Sequence, residues 1–339
     1  YLGARKAVTF GAILLVIGHF GMSFEGNGSR QLLTLNETTY EIVLDARGGD
    51  ARQQIVSDKG VSYISFTTED LIIEDPSSVD MPPVIPRDSY VISVETEETY
   101  LNILYLSLAF IIAGVGFLKA NISTIVGSLY GFGDTRRDSG FTIFYMGINL
   151  GAFLASIFCG YLGIVHGWKY GFGLAGIGMF IGLSIFLSCQ SWLDGKAEPP
   201  SLEKLKKRVF LFFNVEWCCY LVGFLIIVVS MLLVMNEELV GGILRPLGVI
   251  MFLALLYYSF AKLAGDERSR MLAAMYFILA QIPFWALFEQ AGSSLNLFTA
   301  RLVDREIFGW SVPGPVFQSL NAGYISVSYT HLTLPTKQA

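Results

Sequence analysis

LNILYLSLAFIIAGVGFLKANISTIVGSLY, residues 101–130, carries a single charge, Lys119, in an otherwise apolar run. A helix needs roughly 20 apolar residues to cross a bilayer, and this stretch exceeds that. Together with it, taken as 100–128, runs at 7–24, 139–165, 170–190, 209–235, 242–261 and 271–300 predict seven membrane spans, and an eighth begins near 316. The composition agrees: of 339 residues, 53% are hydrophobic and only 15% are charged, against about a quarter charged in soluble domains.

The charges fall between the spans. Arg5 and Lys6, then Arg136 and Arg137, then Lys204, Lys206, Lys207 and Arg208, then Lys262, Arg268 and Arg270 mark alternate connections. By the positive-inside rule these face the cytoplasm, so the first and the last full span both run outward. The connection at 26–98 is different: it holds fourteen acidic against five basic residues. Its alternating runs at 40–44, 61–66 and 90–94, separated by Gly, Pro, Asp and Ser, predict a small acidic β-rich module outside the membrane. Asn27-Gly28-Ser29 and Asn36-Glu37-Thr38 match the N-glycosylation tripeptide, a pattern common by chance.

Lys119 is the first candidate functional residue. A central ammonium costs roughly 2.5–3.5 kcal/mol on insertion scales, so it belongs against a watery cavity with an acidic partner. The connection that follows is about eleven residues away, roughly 16 Å along a helix, too far for the side chain to reach easily. In the last full span Gln281, Trp285, Glu289, Gln290, Ser293 and Asn296 recur at helical spacing and predict a polar stripe. A carboxylate on that stripe can take and release a proton as its surroundings pass between wet and dry, which suits a proton carrier. Pro283 and Gly292 permit bending there. Asn149 lies mid-span in an uncharged helix, as interhelical hydrogen-bonder or ligand contact, and Gly147, Gly151 and Ala155 repeat at a spacing that lets helices approach closely.

Other polar residues read as structural. His19 reads as a satisfied core histidine rather than a proton relay, and Glu216, one to two turns into its span near the cytoplasmic end, is explained by snorkelling or interfacial pairing. Cys159, Cys189, Cys218 and Cys219 lie in or beside apolar spans without metal-type spacing. His19 and His166 lack the Ser, paired-Asp or metal-ligand company that an intramembrane enzyme requires, so no cofactor and no enzyme activity is expected.

Five stretches then resemble one family. YLGARKA at 1–7, GFLKANISTIVGSLY at 116–130, RRDSGFTIFYMGINLGAFLA at 136–155, FWALFEQAGSSLNLF at 284–298 and FGWSVPGPVFQSLN at 308–321 are similar, in order, to the signatures of the proton-dependent oligopeptide transporters, a branch of the major facilitator superfamily. The resemblance implies an all-α polytopic membrane protein, a partial major facilitator fold of bacterial type. Residues 1–25 would be helix three and 26–98 the extramembrane insertion. Helices four to six would occupy 99–190 and a cytoplasmic linker 191–208. The two extra bacterial helices would fill 209–264, with helix seven and the start of helix eight at 265–325. Residues 326–339, SVSYTHLTLPTKQA, resemble translated adapter sequence and are expected to be a non-native tail that does not continue the helix. The chain opens inside a motif, so truncation at both ends is expected.

The resemblance further implies symport of di- and tripeptides with protons across a bacterial inner membrane, by alternating access within the lipid bilayer. It assigns Lys119 to the peptide carboxylate, Asn149 and Asn321 to hydrogen bonds with the peptide backbone or termini, Trp285 to a side-chain pocket wall and Glu289 to substrate binding and proton coupling. Lys119 and Glu289 are expected to face one shared cavity. Many members carry Pro after the lysine, where this chain has Ala120. A non-transporting receptor built on the 26–98 module, or a carrier of another small anion such as nitrate, are the competing readings.

Overall fold

The computed structural model describes residues 2–24, 30–45, 52–67, 70–95, 97–131, 133–210, 213–307 and 309–333. Among them are seven helices long and apolar enough to cross a membrane. The first is α1 (Ala4–Met22). After the module come α3 (Glu98–Ser128), α4 (Arg136–Val165) and α5 (Trp168–Ser188). A short α6 (Leu202–Lys206) precedes α7 (Val215–Met235), α8 (Glu237–Ala261) and α9 (Gly265–Phe288). α10 (Ser294–Leu302) and α11 (Ser319–Thr333) follow.

Helices satisfy their backbone internally, the condition for lying in lipid, and their few polar side chains follow suit. Ser107, Asn121 and Ser184 donate to the carbonyls of Ile103, Phe117 and Phe180, at 2.6, 2.8 and 2.8 Å. His19 Nδ1 is 2.7 Å from the carbonyl of Leu15, which makes it the satisfied histidine the sequence suggests.

Packing is set by glycine. α1 and α3 cross where a Cβ on Gly11 would lie 2.7 Å from the Gly114 carbonyl oxygen, and one on Gly114 would lie 2.8 Å from that of Gly11. Beside this crossing Leu14, Ala109, Ala113 and Ile227 form a buried cluster that brings in α7. α4 and α5 approach at Gly163 and Gly171, and α4 also packs along α11. Gly147 and Gly151 have open space around their Cβ positions, so the predicted close approach along that stripe is displaced to Gly160 and Gly163, two turns and more further on.

The basic start of α1 meets the linker after α5 and the start of α7. Arg5 binds Glu198 through Nε at 2.5 Å and Nη2 at 3.1 Å, and its Nη1 donates to Gln190 at 2.8 Å. Lys6 pairs with Glu216 at 2.5 Å, so of snorkelling and interfacial pairing that acid takes the pairing. Lys196 Nζ donates to the Leu129 carbonyl at 3.2 Å, so the ends of α1, α3, α5 and α7 that carry these loops lie together, as the alternating charges require. The start of α7 differs from the predicted 209. β8 (Arg208–Phe210) and β9 (Phe213–Asn214) form a small hairpin there, and Asn214 Oδ1 then caps the helix by accepting from the Trp217 amide at 2.9 Å.

The acidic module is β-rich as predicted. Strands β1 (Arg30–Leu35), β2 (Thr38–Asp45), β3 (Arg52–Val56), β4 (Val61–Phe66), β5 (Asp70–Ile73), β6 (Val84–Pro86) and β7 (Tyr90–Glu95) make one antiparallel sheet in the order β6-β5-β4-β3-β2-β1-β7. A helical turn, α2 (Pro76–Val79), lies between β5 and β6. The outermost strands β6 and β7 are joined by only Arg87–Ser89. Four Cα steps span at most about 15 Å, whereas seven flat strands at about 4.8 Å would be nearly 30 Å wide, so the sheet curls towards a barrel. Alternate residues fill its inside: Leu33, Leu35, Ile42, Ile55, Ile64, Leu71, Ile73, Ile85 and Tyr90 share one core. β1 and β2 meet through a two-residue turn whose Asn36 and Glu37 have φ of 48° and 65°. The other glycosylation tripeptide, 27–29, lies outside the described residues.

Two further expectations are corrected. The predicted span 271–300 is not one helix: α9 ends at Phe288, a 3-10 turn covers Glu289–Gly292, and α10 restarts at Ser294 after Ser293 takes φ −123° and ψ −100°. Gly292 and two consecutive serines hold the backbone weakly in helix, and their hydroxyls compete with it for hydrogen bonds. The helix near the end also does not stop at 326. α11 continues to Thr333, with Ser326 and Ser328 donating to the carbonyls of Ala322 and Tyr324, each at 2.9 Å, so their hydroxyls are satisfied within the helix.

Candidate functional site

The break in the seventh long helix faces α4 and α11. Between them, the turn Gly314–Gln318 sits at the head of α11, and Pro315 packs on Gly160 of α4, with 3.3 Å from the Cβ position to the proline ring. A short hairpin, β10 (Glu306–Ile307) with β11 (Trp310–Ser311), leads into that turn and sets Trp310 against Tyr161, ring centroids 5.9 Å apart. These elements enclose a cavity of about 540 Å³, within the range of small-molecule sites.

Asn149, Glu289 and Asn321 all line it, from α4, the helix break and α11. Asn149 Nδ2 donates to its own helix at the Tyr145 carbonyl, 2.9 Å away, which leaves its side-chain oxygen for the cavity. No hydrogen bond or ion pair engages the Glu289 carboxylate among the described residues. Ser156, Asn296, Thr299 and Gln318 add neutral polar groups, and among the described residues Glu289 is the one ionisable residue in the lining. Asn296 carries a side-chain oxygen that is buried without a hydrogen-bond partner among the described residues. The sequence reading placed Asn296 on the polar stripe but named no role for it; Gln318 and Ser156 carried no signal, because their neighbours in space lie on other helices.

Trp285 and Lys119 are elsewhere. Trp285 sits one turn before Glu289, donates from Nε1 to Gln281 at 3.0 Å and packs edge-on against Phe284 and Phe288. Lys119 is exposed on α3, has no ion pair among the described residues, and is not among the residues lining this cavity. α3 packs chiefly on α1 and α7, with a smaller contact to α4, whereas the cavity forms on the α11 side of α4.

A protein-family model, PTR2 (POT family), matches residues 5–329. The chain belongs to the POT family. That match reaches into the stretch expected to be a non-native tail. This POT-family chain is 32% identical over 240 residues to the peptide transporter YePEPT of Yersinia enterocolitica, covering 66% of this chain and 46% of that protein. It is 32% identical over 230 residues to dipeptide and tripeptide permease A of Proteus mirabilis, covering 67% and 45%. The chain spans about half the length of the curated relatives it matches. Among solved structures, a POT peptide transporter in complex with alafosfalin aligns with a TM-score of 0.60 at 24% identity, covering 100% of this chain and 55% of that one. A bacterial homologue of the human drug peptide transporters aligns at 0.64 and 19%, covering 98% and 57%. These likenesses establish the fold. The protein is a multi-pass membrane protein of the POT family, built as part of a major facilitator fold with a β-rich insertion.

Proposed function

We infer that this chain is the central section of a proton-coupled symporter that carries di- and tripeptides across a bacterial inner membrane by alternating access. The observation that supports this reading most is the convergence of Asn149, Glu289 and Asn321, far apart in sequence, on one cavity at a broken helix. Relatives named as a peptide transporter and as a dipeptide and tripeptide permease point the same way. In this reading Asn149 and Asn321 hold the peptide's backbone or amino end by hydrogen bonds. Glu289 exchanges the coupling proton, and Trp285, which lies outside this cavity, enters as the wall of a side-chain pocket through the family resemblance alone. Lys119, as the attractor of the peptide carboxylate, enters through the family motif alone. The cavity's one ionisable group is acidic, which disfavours a carrier of a small anion such as nitrate at this site.

The test is uptake into proteoliposomes by a full-length transporter carrying these residues, with gradient-driven uptake and peptide-for-peptide counterflow measured side by side. Lys119→Ala should abolish both, and Lys119→Arg should recover little, because a planar fork does not replace a compact ammonium. Glu289→Gln should impair gradient-driven uptake and spare counterflow. Equal loss of both activities in Glu289→Gln would remove the coupling role, and full activity in Lys119→Ala would remove the carboxylate role.

A further inference from the structure

The orphaned oxygen at the helix break points to a residue that the family motif does not assign. Asn296 is the third residue of α10, and its Oδ1 is buried without a hydrogen-bond partner among the described residues. It packs against the turn that opens α11: a Cβ built on Gly314 would lie 3.3 Å from it. A buried amide oxygen left unpaired is costly, so a donor that a ligand brings to it would be held well. The same residue lines the cavity that holds Asn149, Glu289 and Asn321. Those side chains offer carboxylate and amide oxygens and no cation, which selects a donor bearing positive charge.

We propose that Asn296 is a further substrate-binding residue, whose Oδ1 accepts a hydrogen bond from the amino terminus of the bound peptide. This rests on the peptide reading above. The helix break is what makes it possible. Ending α9 at Phe288 and restarting at Ser294 turns α10 so that Asn296 meets the turn at Gly314. Movement of that turn would uncover the oxygen to the cavity.

The experiment compares dialanine with propionyl-alanine, which keeps the amide and carboxylate but lacks the ammonium, in proteoliposomes of the full-length transporter. Asn296→Leu keeps the bulk and removes the acceptor. It should raise the KM for dialanine about ten-fold, the loss expected for a hydrogen bond to a charged group, with little change in maximal rate and none in the KM for propionyl-alanine. Asn296→Asp keeps an acceptor and should hold dialanine as tightly as the parent or more so. A KM rise shared equally by both substrates, no change for either in Asn296→Leu, or weakened dialanine uptake in Asn296→Asp would each overturn the assignment. Should the parent protein itself take up no dialanine, the peptide reading falls and carries this inference with it. A parent that transports dialanine while the variants behave as described for failure sinks the inference alone.

Discussion

At the scale of single residues, the sequence announced its costly groups well and their partners poorly. Lys119 and Glu289 stand out because a charge in an apolar run is expensive wherever the chain goes. That Lys6 would meet Glu216 was legible only as a need, since 210 positions separate the two. Arg5 and Glu198 were not paired in advance at all, because the linker that carries Glu198 has no periodicity to place it. Their two-pronged contact makes a prediction. The Arg5 guanidinium, chiefly by its hydrogen bonds, holds the Glu198 carboxyl below the usual carboxylate range. A lowered folded-state pKa means stability that is present above the unfolded value and is lost as pH falls through the folded one. Glu198→Gln should therefore lower the melting temperature in detergent at pH 7, by an amount equivalent to under about 1 kcal/mol after solvent screening. The gap between variant and parent should close in acid, and a gap that widens as pH falls would contradict the pairing.

At the scale of elements, hydropathy located the spans and alternation located the strands, because both are local signals with fixed periods. Helix interruptions and crossings were harder. The polar stripe from Gln281 to Asn296 keeps helical spacing straight through the break, so periodicity alone predicts one helix where the structure has two pieces. Small-residue spacing likewise picked Gly147 and Gly151, while the close approaches fall at Gly11 with Gly114 and at Gly163 with Gly171. A stripe says that helices could approach there; which one does depends on the partner. The contrast is testable within one helix. Gly114→Ala places a methyl group 2.8 Å from the Gly11 carbonyl oxygen and should cost about 1–3 kcal/mol. Gly116→Ala, two residues on, meets open space and should be neutral or stabilising by up to about 1 kcal/mol through helix propensity. Thermal unfolding in detergent, with both variants beside the parent, checks the pair; equal destabilisation would mean that the crossing is misplaced.

At the scale of the whole molecule, the membrane helices and the acidic, barrel-like sheet are separate solutions to separate solvents, one apolar outside and the other apolar inside. None of the five motif stretches falls within 26–98, so replacing residues 30–95 by a short linker should leave uptake by the full-length transporter unchanged. Abolished uptake with normal membrane insertion would give the barrel a part in transport. The site was half legible at this scale: Asn149, Glu289 and Asn321 do share a cavity, but the place of Lys119 relative to it depends on how helices stack, which no local pattern encodes. The barrel's own construction has a wider consequence. Its first and last strands are hydrogen-bonded neighbours, with Arg30 opposite Glu95, so the module leaves the chain about 5 Å from where it begins. A domain with adjoining ends can be gained or lost in an outward loop during evolution without prying the flanking helices apart. The same junction is a ready graft point, where a rigid fiducial for imaging or an affinity handle could be spliced in place of the barrel.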